Sequence, residues 1–246
     1  MIQKYTHTQI DKERYTLCLQ SAINYRIYAE LWYLDTVSPT GYDIWVLNDF
    51  QAIMPVTYQK KAGVKFVIQP PFCQQLGVFY SDRLTLEDFT IFISHLQKYR
   101  VRSYSFNEDN NLYFPDTIKR DNQVLSLYTS YDQLSKRFNS NRKREIYTCS
   151  QQNLHITEQF ELNALLESME DNFFPFSNKE RKLTAELAQK LHKKKAIESL
   201  FLKDESGNIL ASLILLISSD RLISLLPLRS KKTIQKGAIT FLYNHV

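Results

Sequence analysis

A chain of 246 residues, 43% hydrophobic and 23% charged, has room for one large domain or two smaller ones and the make-up of an ordinary globular protein. With 31 Lys and Arg against 26 Asp and Glu, the net charge of +5 permits an anionic partner without demanding one. Only 5 glycines argue against a glycine-rich nucleotide fold, a collagen-like chain or a flexible linker.

The three cysteines, Cys18, Cys73 and Cys149, are far apart and have no metal-ligand spacing. They read as buried free thiols of a reducing, cytoplasmic compartment, and no metal site is expected. The N-terminus has no apolar core of a signal peptide, and no run approaches the ~20 apolar residues of a membrane span.

In chain order, the start reads helical. Asp11 is placed to cap a helix through Tyr15, Cys18 and Leu19, whose last part lies near Tyr28 to Leu34. The period then changes to that of strands. Residues 42–47 and 50–58 form a hairpin about the Asn48-Asp49 turn, and 64–68 follow a second turn at 60–63. Pro55 inside the return strand suggests an edge or a bulge. Leu86, Phe89, Phe92, Ile93 and Leu96 share one face of a helix over 84–99. A strand over 100–106 and a polar turn at 107–111 end the first half.

The second half repeats this order without any fixed-period repeat. A short strand over 123–127 precedes a basic helix over 131–149 and a strand over 154–157. Helices over 161–172 and 178–194 follow, then strands over 197–204, 209–218 and 221–228. A basic loop, 229–236, leads to Gly237 and a helix from Ala238. Such mixed order implies an α/β (α+β) architecture of mixed, mostly antiparallel sheets flanked by helices.

The strand, basic loop, glycine and helix at the end form an arrangement suited to anions. Unpaired N–H groups and the helix dipole favour phosphate there, Gly237 lets backbone approach a ligand, and Lys231, Lys232 and Lys236 add charge. A plain strand–loop–helix connection has the same pattern. The basic residues Arg142, Lys143 and Arg144 suit either an anionic acceptor or a solvated helix face. Glu167, Glu170 and Asp171, beside the run Phe173-Phe174-Pro175-Phe176, are candidate bases or ordinary surface carboxylates. Gln74 and Gln75 suit either a cleft between halves or turn hydrogen bonds. No Ser-His-Asp or Cys-His phrase is visible, so a covalent nucleophile is not expected.

Three phrases carry a resemblance. SLLPLRSKKTIQKGAITFLYNHV (224–246) resembles the donor-binding strand–loop–helix of the acyl-CoA N-acyltransferase superfamily, with Gly237 and Ala238 keeping its small-residue pattern. WVLNDFQAIMPVTYQKKAGVKFVIQPPFCQQLGVF (45–79) and YDQLSKRFNSNRKREIYTCSQQNLHI (131–156) resemble the two halves of FemABX-like acyltransferases. The resemblance implies tandem acyltransferase-like halves over 1–115 and 116–246. The second is incomplete, because family members continue past the last helix into further strands. It implies an open sheet edge that a second copy can pair with, giving a homodimer.

For the site, the resemblance implies a donor-binding group of Leu226, Leu228, Lys232, Lys236, Gly237 and Ala238, and substrate contacts from Gln74, Gln75, Arg142 and Arg144. The implied function is N-acyl transfer from acetyl-CoA, another acyl-CoA or aminoacyl-tRNA to an amine of a small molecule or cell-wall precursor. The alternative is a catalytically silent binding module of the same fold. Nucleic-acid binding in its own right has only the basic stretches in its favour, and acids interleave them.

Overall fold

The computed structural model describes residues 1–110, 117–233 and 235–246. The chain divides into two compact units, Met1–Asn122 and Gln123–Val246.

The first unit does not open with a helix. Ile2–Thr6 is a strand, β1, paired antiparallel with β2 (Tyr42–Leu47) from Ile2 opposite Leu47 to Thr6 opposite Asp43. The first helix, α1 (Lys12–Gln20), starts where Asp11 accepts the N–H groups of Glu13 and Arg14. It does not run on to Leu34. Asn24 is fully buried, and its side chain donates to the Val78 carbonyl (2.8 Å) and accepts from the Tyr80 N–H (3.3 Å). That tie holds the chain out of the helix. A 3-10 turn at Ile27–Ala29 and a separate α2 (Leu31–Val37) follow.

The remaining elements are β3 (Ala52–Lys61), β4 (Val64–Val67), β5 (Phe79–Tyr80), α3 (Leu86–Leu96) and β6 (Arg100–Val101). The sheet order is β1-β2-β3-β4-β6, with β5 also on β3, and every pairing is antiparallel except β4 with β6. Pro55 therefore lies on an interior strand. It is tolerated because the far side of β3 is paired by β5 only at Ala52–Ile53 and by β4 only from Tyr58. In that gap the Pro55 carbonyl accepts the Tyr104 hydroxyl (2.7 Å), and a strand residue's nitrogen faces the same side as its carbonyl, so no ladder bond is lost.

β2 is buried along its whole length, so its residues read as a run rather than an alternation. Trp45, Leu47, Met54 and Val56 pack with Phe89, Phe92 and Leu96 of α3, which Thr85 and Asp88 cap reciprocally. Leu86 is exposed and lies off this face. The expected strand over 100–106 shrinks to two residues, and Asn107 and Asn110 are buried rather than in a solvated turn. Asn110 exchanges two hydrogen bonds with Val78 (2.8 and 2.9 Å), and Asn107 donates to Leu76 (3.0 Å). This brings Asn110 so close to Gly77, at φ +117°, that a Cβ there would lie 2.1 Å from its Oδ1. Asn111 lies outside the described residues.

In the second unit, residues 123–127 form no strand. Val124, Leu125 and Leu127 are exposed and find no sheet partner. The basic helix is two helices, α4 (Tyr131–Lys136) and α5 (Ser140–Ser150). They are separated because Asn139 caps α5 through the Arg142 N–H (2.9 Å). Then come β7 (His155–Thr157), α6 (Leu162–Glu170), α7 (Asn178–Lys193), β8 (Ile197–Lys203), β9 (Ile209–Ser218), β10 (Arg221–Arg229) and α8 (Ala238–His245).

The second sheet is antiparallel throughout, in the order β10-β9-β8-β7. Its period of two is used on both faces. Ala211, Leu213 and Leu215 of β9 pack with Ala238 and Leu242 of α8, while Ser212 turns to α6 and bonds Ser168 (2.6 Å). The chain is thus α+β, with one mixed and one antiparallel sheet. Among the described residues no helix is long and apolar enough to cross a membrane.

Candidate functional site

The start of α8 comes first because the sequence places the donor there. Gly237 caps the helix at φ +84°, a conformation that costs a residue with a side chain ~1–2 kcal/mol. The backbone that approaches Gly237 is the chain's own. A Cβ at this position would lie 2.7 Å from Glu145 Cβ and 3.2 Å from Glu145 Cα, on α5.

The Glu145 carboxylate stands against the first turn of α8, where the helix dipole favours negative charge. Its Oε2 accepts the Thr240 hydroxyl (2.7 Å) and an Arg142 N–H (3.1 Å), and its Oε1 accepts the Asn141 amide (3.1 Å). The Arg142 guanidinium also donates to Thr240 Oγ1 (2.5 Å). The Thr240 hydroxyl, backed by Arg142 and Asn141, holds the Glu145 carboxyl below the usual carboxylate range. One turn further along the same face of α5, the Cys149 thiol donates to the Lys236 carbonyl (3.6 Å), and burial pushes that thiol up. An internal anion with both oxygens bonded thus stands beside the glycine where the sequence leads one to expect an acyl-CoA pyrophosphate, and its charge and closeness to Gly237 do not fit that group.

A different arrangement stands at the C-terminal end of β10, where the chain leaving α6 is stitched to the chain leaving the strand. Phe173 N–H donates to the Arg229 carbonyl (3.1 Å), Arg229 N–H to Asn172 Oδ1 (2.9 Å), and Lys231 N–H to the Asp171 carbonyl (2.8 Å). These bonds set Asp171 in a cleft of about 140 Å³ lined also by Glu167, Ser168, Glu170, Ser212, Leu228, Ser230, Lys232 and Thr233.

One Asp171 oxygen, Oδ2, accepts the Ser230 hydroxyl (2.5 Å), and Ser230 Oγ in turn accepts the Thr233 N–H (2.9 Å). The other, Oδ1, is buried and has no hydrogen-bond partner among the described residues. Its neighbour is the Lys232 ammonium at 3.9 Å, on a side chain 78% exposed. Leaving a carboxylate oxygen buried and unbonded costs ~1–3 kcal/mol, a cost that an incoming donor would offset. The two serines below are spent on each other. Ser168 donates to the Ala164 carbonyl (2.7 Å), so the proton of its bond with Ser212 belongs to Ser212. Glu167, Glu170 and Asp171 are therefore the groups lining this cleft that can accept a proton, and Asp171 is the one of the three with a buried oxygen left unbonded among the described residues.

The candidates from the sequence divide between these places. Leu228 and Lys232 line the Asp171 cleft, and Leu226 is buried in the sheet. Arg142, Gly237 and Ala238 meet at the α5–α8 contact, while Lys236 is exposed with its carbonyl bonded to Cys149. Arg144 bonds Asn141 of its own helix (2.7 Å). Gln74 and Gln75 belong to the first unit, where Gln74 is exposed and Gln75 accepts from the buried Arg26 (3.4 Å). Glu145, Ser230 and Thr240 went unnoticed in the sequence. The Arg142–Glu145 spacing of three on a helix was the one available signal, since it puts both side chains on one face.

The solved structure of FemX superposes on this chain with a TM-score of 0.66, covering 99% of this chain and 84% of that one at 10% identity. The chain has a FemX-like fold. No protein-family model matches the chain, and no curated protein matches it in sequence. The FemX-like fold is the one that the three resembling phrases imply, and at this identity it speaks for architecture alone. Among the described residues, no three His, Cys, Asp or Glu side chains stand close enough to hold a metal ion.

Proposed function

We infer that this chain is an N-acyltransferase whose acceptor amine reacts in the Asp171 cleft. The observation that carries the reading is the buried Asp171 Oδ1 without a partner, set beside Ser230 and Lys232. The FemX-like fold and the activity that the resemblance implies agree with it.

The chemistry follows from what the cleft holds. An amine entering as ammonium donates to Asp171 Oδ1 and gives up a proton to it. The freed nitrogen lone pair attacks the donor's ester carbonyl, the C–O bond breaks, the alcohol leaves with the proton returned from Asp171, and the carboxylate so regenerated takes the second proton from the new amide nitrogen and passes it to solvent. The Ser230 hydroxyl fixes the carboxylate through Oδ2, and Lys232 supplies positive charge beside it. Of the two donor classes implied by the sequence, aminoacyl-tRNA is the better supported, because Glu145 holds the start of α8 against a pyrophosphate. No step is routed through CoA.

The same observation favours a second reading, a silent binding module whose donor end has been closed by α5. A thermal-shift titration with alanyl-tRNA, acetyl-CoA and free CoA separates the two. A ligand of the folded state at ~100 times its dissociation constant stabilises it by ~2.7 kcal/mol. Stabilisation by alanyl-tRNA alone supports the transferase. Stabilisation by acetyl-CoA overturns the account of α8, and no shift with any donor leaves the binding module.

A further inference from the structure

The helices α4 and α5 carry a face distinct from the one that α5 turns to α8. On α5, Arg142, Glu145 and Cys149 recur at helical spacing and face α8. Lys143, Ile146, Tyr147 and Ser150 recur at the same spacing on another face, and with Tyr131, Ser135, Lys136 and Phe138 they line an open groove of about 390 Å³. Its floor is the half-buried Phe138 and Ile146, and its walls are Tyr131 and Tyr147, 55% and 66% exposed. No acidic residue lines it, and Lys136 and Lys143 stand on its two helices.

We propose that this groove docks an acidic amphipathic helix of a partner protein, its apolar face on Phe138, Ile146 and the two tyrosines and its carboxylates on Lys136 and Lys143. The groove is apolar along its floor and carries two cations and no acid in its lining, Lys136 on α4 and Lys143 on α5, which matches a helix with an apolar stripe bordered by acids. Tyrosine supplies large contact area at little entropic cost. A nucleic-acid strand is the poorer match. It needs a row of cations along its phosphates, and here the neighbouring charges are engaged elsewhere. Arg142 is bonded to Glu145 and Thr240, Arg144 to Asn141, and Lys143 itself spends one N–H on the Lys136 carbonyl (3.3 Å). The proposal stands independently of the reaction assigned to the Asp171 cleft.

The test is fluorescence anisotropy on the full chain with a labelled model peptide of about 14 residues, long enough to form a helix against a surface. The peptide carries leucines at positions i, i+3, i+4 and i+7 and glutamates on both flanks. The controls are a scrambled peptide of the same composition and a single-stranded RNA oligonucleotide as competitor. The expected result is saturable binding of the amphipathic peptide, at least about tenfold weaker for the scrambled one and for Tyr147→Ala or Lys143→Glu. Because Tyr147 is exposed, Tyr147→Ala is expected to fold, and melting of both variants checks this. Equal binding of the scrambled peptide, binding unmoved in Tyr147→Ala, or displacement of the peptide by RNA at equal concentration would each overturn the proposal. So would absence of binding by the amphipathic peptide.

Discussion

The two ends of the segment from β10 to α8 differ in how their polar groups are satisfied. At the start of α8 the Glu145 carboxylate has donors on both oxygens, and the nearest approach to Gly237 among the described residues is made by Glu145 of α5. At the end of β10 a carboxylate of the same charge keeps one buried oxygen with no donor, in a cleft open to a ligand. Both places have an acid, a hydroxyl partner and a nearby cation, so residue types alone do not separate them. What separates them is hydrogen-bond completion. A finished network stabilises, and an unfinished one costs free energy until something binds.

The largest expected effect that sharpens this contrast is at Asp171. Asp171→Asn keeps the shape and a partner for Ser230 but removes the base, so transfer should slow by ~10²–10⁴-fold with the melting temperature little changed. A steady-state rate measured beside a melting curve reads both quantities. A comparable loss of stability would mean that Asp171 serves the fold instead.

Gly237→Val should act in the opposite way, on stability first. It forces a β-branched residue into a left-handed conformation and drives its side chain into Glu145, at a combined cost of ~2–5 kcal/mol, visible as a lower urea midpoint. Unchanged stability would mean that α5 does not press on α8 in solution.

Glu145→Gln should be milder, ~1 kcal/mol, since an amide keeps the shape and loses the charge. Because the folded state holds this carboxyl below its usual range, its contribution is present above the ordinary carboxylate value, ~4.3, and is lost as pH falls through the depressed folded value. Stability of the wild type should therefore decline over that acid range more steeply than that of Glu145→Gln. Parallel pH profiles would remove Glu145 from the closure of α8.

Much of this architecture was legible in the residues. The short apolar runs at 42–47 and 209–218, bounded by turn residues, matched their strands to the residue, and Asp11 marked its helix by its capping side chain. The failures share a cause. Residues 123–127 have a strand's alternation but no partner edge, and a strand exists only where another pairs with it. The long basic helix hid the Asn139 cap because Asn tolerates either role until a backbone N–H is placed beside it. Asn107 and Asn110 looked like a solvated turn, and only the Leu76–Val78 backbone made them interior.

The site was half legible for the same reason. Asp171 was visible as one acid among three, and Gly237 as a glycine that needs a left-handed backbone. That a helix from earlier in the chain fills the space beside Gly237, while Asp171 Oδ1 stays without a donor among the described residues, depends on contacts far apart in sequence, 92 residues in the Glu145–Gly237 approach (237 minus 145) and 59 in the Asp171–Ser230 bond.

The most direct test of the central claim is the transfer of labelled alanine from alanyl-tRNA to the side-chain amine of a blocked lysine, by the wild type and by Asp171→Asn at matched folded concentration. The account predicts transfer by the wild type and a loss of at least about 100-fold in the variant. Equal transfer by the two proteins would contradict it, as would wild-type transfer that depends on CoA.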